Sequence, residues 1–110
     1  MATTYKVLGQ ASITTANTLQ TLYTVPAATS TIVSTITVAN RAASSGTYRI
    51  AVRVAGASIA NAQYLIYDAS LSANSTDTMT LGITLAATDV VSVFASTGDF
   101  TFNAFGTELS

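Results

Sequence analysis

Apolar and polar residues alternate along most of the 110-residue chain with a period of two, as expected of strands that bury one face and wet the other. In Tyr48-Arg49-Ile50-Ala51-Val52-Arg53-Val54 the large apolar residues hold the even positions and the arginines the odd ones. Ile32, Ser34, Ile36 and Val38 stand in the same relation to Val33, Thr35, Thr37 and Ala39. Phe100, Phe102 and Ala104 likewise oppose Thr101, Asn103 and Phe105. The pattern predicts strands near residues 5–9, 19–25, 32–40, 48–54, 63–67, 76–81, 90–95 and 100–105. Turn-forming stretches separate them at 26–30, 40–46, 55–61, 68–75, 86–89 and 96–99. One helical candidate, 55–62, is short and carries Gly56 near its start, which lowers its helix propensity. About eight short strands, without repeat or linker, predict an all-β fold: a single antiparallel β-sandwich, jelly-roll-like or immunoglobulin-like. Residues 19–110 make up the sandwich, and 1–18, poor in core signals, an N-terminal arm or first strand that orders against a partner or sister subunit.

Charge changes the picture most. Only 8% of the residues are charged, against about 25% in ordinary soluble domains. None lies between Lys6 and Arg41, and over the whole chain 20 Thr, 19 Ala and 12 Ser stand where Lys and Glu would ordinarily be. Such a surface has little electrostatic repulsion to hold copies apart, so it suits a protein packed against other copies or a larger assembly. Charge is also polarised: a neutral first third, arginines at 41–53, and acids from Asp68 onward. Four basic residues are too few for the phosphate neutralisation on which nucleic-acid binding rests. The uncharged run from Val7 to Asn40 is interrupted by Thr, Ser, Asn, Gln and Pro26, so neither a membrane span nor a signal-peptide core is expected. Absence of Cys rules out a disulfide scaffold and permits assembly in a host cytoplasm.

The chain offers little for catalysis. Without His or Cys there is no Ser-His or Cys-His nucleophile and no common zinc ligand, and the expectation is a protein that is not an enzyme. The acids Asp68, Asp77, Asp89, Asp99 and Glu108 fall at or near predicted turns, where Asp bonds its own backbone. No calcium-loop, Gly-x-Gly-x-x-Gly or Walker spacing occurs, so no cofactor or metal is expected. The six single glycines are read as turn residues, and Asn74-Ser75-Thr76 as a chance match to a glycosylation acceptor.

Three residues stand out as candidates for contact with a partner. Arg49 and Arg53 share one strand face, about 13 Å apart along it. They serve either as a solvated face paired with Asp on a neighbouring strand, or as the contact with an acidic partner surface. Tyr64 and Tyr67 differ by an odd number, so one is expected to point inward and the other outward. An exposed Tyr67, beside Asp68, is the tyrosine available for recognition, while core packing is expected for most of the others.

Read in order, several segments resemble one family. They are Leu22-Tyr23-Thr24-Val25-Pro26-Ala27 ahead of the strand at 32–40, then 48–54, then Tyr64-Leu65-Ile66-Tyr67-Asp68. The series continues with Gly82-Ile83-Thr84-Leu85-Ala86-Ala87-Thr88-Asp89-Val90-Val91 and closes on Phe102-Asn103-Ala104-Phe105-Gly106-Thr107-Glu108. The order is similar to small virion structural proteins of tailed bacteriophages, including cyanophages, over residues 19–108. The resemblance implies a β-rich accessory protein of the particle and favours a capsid decoration, or cement, protein. That protein is a homo-oligomer, a trimer by preference, on the virion surface, clamping major capsid protein. A tail, fibre or baseplate appendage that binds a receptor or glycan is the alternative. The motifs are turn and core signals, so no catalytic or binding residue carries over.

Overall fold

A computed structural model describes residues 2–110; Met1, the first residue of the expected arm, lies outside them. Eight strands form: β1 (Thr3–Ser12), β2 (Gln20–Thr24), β3 (Ser30–Asn40), β4 (Gly46–Arg53), β5 (Tyr64–Leu71), β6 (Thr76–Leu85), β7 (Val90–Ala95) and β8 (Phe100–Leu109). The candidate helix at 55–62 is replaced by two single 3₁₀ turns, Val54–Gly56 and Asn61–Gln63. Arg53 ends the strand there, and Ala55 enters the left-handed region at φ 54°.

The strands build two four-stranded antiparallel sheets, ordered β1-β8-β3-β6 and β2-β7-β4-β5. Strand β1 pairs with β8, β2 with β7, β3 with β6 and β4 with β5. The chain is therefore a doubled ribbon that turns back between β4 and β5. Rolling the ribbon so that successive pairs fall in opposite sheets brings β3 beside β8 and β4 beside β7. That order is a jelly roll; the seven-stranded immunoglobulin arrangement is not adopted. The segment expected as an arm or first strand holds β1, paired with β8 of the same chain.

Between the sheets Val33, Ile36, Val38, Ile50, Phe100 and Phe102 are fully buried. Burial of each such side chain contributes about 1.5–3 kcal/mol. The Tyr48 ring packs on both phenylalanines with centroids 6.2 Å away. Buried Asn40 donates through Nδ2 to the carbonyls of Ser44, Leu71 and Ser72 and accepts the Ala42 N–H through Oδ1, so one amide ties the loop after β3 to the end of β5. No buried side-chain nitrogen or oxygen among the described residues lacks a partner.

A bulge resets the expected face of β3. Val33 faces Gly106 and Thr35 faces Phe105, which leaves Ser34 as an extra residue. Thr31 and Val33 therefore point inward before the bulge, and Ile36, Val38 and Asn40 after it. Ile32, expected on the same face as Ile36, is 40% exposed on the outside. Two glycines also depart from expectation. A Cβ on Gly106 would run into the Ile32 carbonyl, and one on Gly9 into the Leu22 carbonyl. These glycines admit close backbone approach inside strands rather than forming turns.

Candidate functional site

The outer face of the β2-β7-β4-β5 sheet brings together two of the three residues singled out in the sequence, Arg49 and Tyr67. Arg49 on β4 lies directly opposite Phe94 on β7. On its other side the ladder passes from Tyr48↔Ala69 to Ile50↔Ile66, so Tyr67 and Asp68 together oppose Arg49. Asp68 makes this possible by adopting φ 53°, a left-handed conformation that Asp tolerates better than most residues. Consecutive residues of a regular strand point to opposite faces; here the bulge turns both side chains toward the same arginine.

The result is an arginine held on three sides. Its Nε donates to Asp68 Oδ1 at 2.6 Å and its Nη2 to Oδ2 at 3.2 Å. The guanidinium carbon sits 4.1 Å from the ring centres of both Tyr67 and Phe94, and 5.8 Å from Tyr64. Cation–π geometry and a two-point ion pair thus act on one planar group. The guanidinium hydrogen bonds hold the Asp68 carboxyl below its ordinary value, and the carboxylate raises Arg49 further above its own.

Tyr64 and Tyr67 were expected on opposite faces, and the structure corrects this. Ile50 pairs with Ile66 and Ala51 with Tyr64, so Leu65 is a further extra residue that shifts the parity. Both tyrosines lie on the outer face, with ring centres 4.9 Å apart at 84°. Tyr67 is 58% exposed, and with Tyr64 and Asn61 it lines a shallow depression.

Arg53 does not join this cluster. It donates from Nε to Ser92 Oγ at 3.0 Å and from Nη1 to the Gly56 and Ala57 carbonyls at 3.2 Å, fixing the 3₁₀ turn that follows its strand. The acids also depart in part from the turn reading. Asp89 and Asp99 do lie in loops, and Asp89 caps two backbone N–H groups, those of Ala55 and Ala86. Asp77 and Glu108 sit inside β6 and β8, where they accept hydrogen bonds from Tyr48 and Tyr23. Burial, reinforced by these carboxylates, pushes the Tyr23 phenol up to about 12 and raises Tyr48 as well. The Tyr23 hydroxyl and Lys6 in turn hold Glu108 below its ordinary value.

The outer face of the other sheet has a different make-up. The register sets Tyr5 beside Thr107 and Ile32, and Val7 beside Phe105 and Thr35. Further along, Thr37 lies between Asn103 and Thr78, and Ala39 between Thr101 and Thr76. Outward positions on this sheet carry no formal charge. Tyr5 is 82% exposed and Val7 47%, so with Ile32 they form an apolar patch continuous with threonine ladders.

No family model matches the chain, and no curated protein does. Among solved structures, a chain in the structure of infectious bursal disease virus Gx strain aligns with a TM-score of 0.50 at 13% identity. The alignment covers 97% of this chain and 32% of that one, so the present chain spans about a third of its length. At this identity the likeness is one of fold.

Proposed function

We propose that the chain is a non-enzymatic structural protein of a virus particle, an oligomeric decoration protein on the head of a tailed phage. The observation that carries this reading is the outer face of the β1-β8-β3-β6 sheet, whose strand positions carry no charge and which Arg41 reaches at its Ser12 corner. Four strands of about ten residues, at about 4.8 Å between strands and 3.3 Å per residue, give a flat area of about 600 Å². That approaches the roughly 800 Å² per partner of a standard interface. Threonine methyls, Val7, Ile32 and Phe105 can be covered there without stranding a charge, and the face of a second copy carries none to repel it. Oligomers of this kind attach through many modest contacts that act together, which suits a cement role. The jelly roll and its fold neighbour in a virus structure support the same reading.

The test is to purify particles, count copies by quantitative mass spectrometry and locate the protein by electron microscopy. Hundreds of copies arranged as oligomers, a trimer by preference, over the head are expected. A few to tens of copies confined to the tail would replace this reading with that of an appendage.

A further inference from the structure

We infer that the outer face of β5 carries a binding site for neutral carbohydrate, with the ring of Tyr67 as its floor. The backbone is bent to make this site. Extra residues at Leu65 and at Tyr67–Asp68 bring two tyrosines and a carboxylate to one face, and Asp68 holds a left-handed φ of 53° to do so. Local strain of this kind persists where the surroundings enforce it, and it concentrates at ligand clamps and similar sites. The ring is also immobilised before any ligand arrives. Arg49 stacks at 4.1 Å, Tyr64 lies perpendicular to it with ring centres 4.9 Å apart, and Asp68 anchors Arg49. A plate already fixed loses little rotamer freedom on binding. Finally, the exposed ring borders the depression that it shares with Tyr64 and Asn61.

The ligand class follows from what is left open. Arg49 and Asp68 neutralise one another, and Arg53 is tied to Ser92 and the following turn, so the site has no net charge with which to draw a phosphate, carboxylate or ammonium group. Asp68 takes two of the five N–H donors of Arg49, and each of its oxygens keeps a further lone pair. Donors and acceptors therefore stand side by side at the rim of an aromatic plate, and Asn61 lines the same depression. A pyranose has the complementary halves: a face of C–H groups that packs on a ring, and vicinal hydroxyls that donate and accept together. The depression is shallow, so it fits one or two units of an extended sugar chain rather than an enclosed small molecule.

Nuclear magnetic resonance titration of the labelled protein with short neutral oligosaccharides of the gluco, manno and galacto series tests the inference. Saturable shifts are expected on the Tyr64 and Tyr67 rings and the Arg49 Nε–H, with dissociation constants of roughly millimolar or tighter. Tyr67→Ala is expected to weaken binding at least about tenfold and Tyr67→Phe by no more than about threefold, with both variants melting like the parent. Binding that survives Tyr67→Ala overturns the assignment. So do shifts seen only with sialylated or sulfated sugars, or a panel that leaves Tyr67 and Arg49 unmoved. Oligomer mass and copy number in particles are separate measurements, so this inference and the assembly reading stand or fall independently.

Discussion

On one outer face of the sandwich, threonine ladders run between Tyr5, Val7 and Ile32; on the other, three aromatic rings and a carboxylate close around Arg49. Both faces rest on the same core and the same strand spacing. The first is interrupted as well, at Leu8 in β1 and Ser34 in β3, yet whatever it binds must be held by area, because methyls and hydroxyls give little direction. The second depends on two departures from regular pairing in β5, and its contacts are directional: an ion pair, stacked rings and a fixed carboxylate. A broad field of small side chains suits coverage by a flat partner, whereas the β5 bulges gather consecutive side chains at a point. On the readings proposed above, one jelly roll would present two kinds of recognition, back to back.

The severest way to break the comparison is to remove what both faces share. Phe102→Ala is expected to cost about 3–5 kcal/mol, a large part of the roughly 5–15 kcal/mol that holds such a domain together. Denaturant unfolding should show it, and near-parental stability would mean that the core does not couple the faces. Next in size, Val7→Glu with Ile32→Glu places two charges on the neutral face. Light scattering should then report the 11.3 kDa monomer, with fold stability changed by about 0.5 kcal/mol or less per substitution. An unchanged oligomer would show that this face is not the one covered. The same oligomer should respond little to salt, since the strand positions of the face carry no charge and Arg41 reaches it only at the Ser12 corner.

Acid and alkali separate the faces more gently. Asp68 and Glu108 are held below their ordinary values of 3.8 and 4.5, so the unfolded chain takes up protons first. Stability from both is complete above about pH 5 and is lost as pH falls through the lower, folded-state values. Tyr23 is raised to about 12, so unfolded phenols ionise first and stability declines from the ordinary value of 10.0 upward. Melting midpoints against pH should therefore be flat between about pH 5 and 9 and fall on either side. Oligomer mass should stay constant across that window, because the neutral face carries no carboxylate, imidazole or amine. The smallest effect is expected from Asp68→Asn, which keeps the tolerance for a left-handed φ and loses the ion pair. Its melting point should barely move, while the Tyr67 ring resonances broaden as Arg49 loses its anchor.

Strand positions were legible in the sequence because period-two burial is local: Tyr48–Arg53 and Phe100–Phe105 alternate in facing as read, whereas Val54, expected inward, is 65% exposed in the turn that follows β4. Ile32 and Tyr64 were placed on the wrong faces for a single reason. One extra residue inverts the parity of everything beyond it, and Ser34 and Leu65 carry no composition that announces a bulge. The order of the strands was closed to local reading altogether, since β1 finds its partner about a hundred residues away. For the site, Arg49 and Tyr67 were visible as polar and aromatic positions on strands, and pairing of Arg49 with an Asp on a neighbouring strand was one of two readings. Phe94 was missed because cross-strand neighbours are not sequence neighbours. The one available hint was Asp68, a residue suited to turns and left-handed backbone, following an aromatic strand.

The doubled ribbon also dictates an order of events. Strands β4 and β5 are close along the chain and can zip together early, which assembles Arg49, Tyr67 and Asp68 while the rest is still open. The β1–β8 pairing closes the longest loop and, by chain entropy, comes last. Tyr5 and Val7 thus take their places on the neutral face only at the final step of folding. On the proposed assembly reading, a half-made chain would have no mating surface to offer, and assembly itself would become the inspection that admits finished copies.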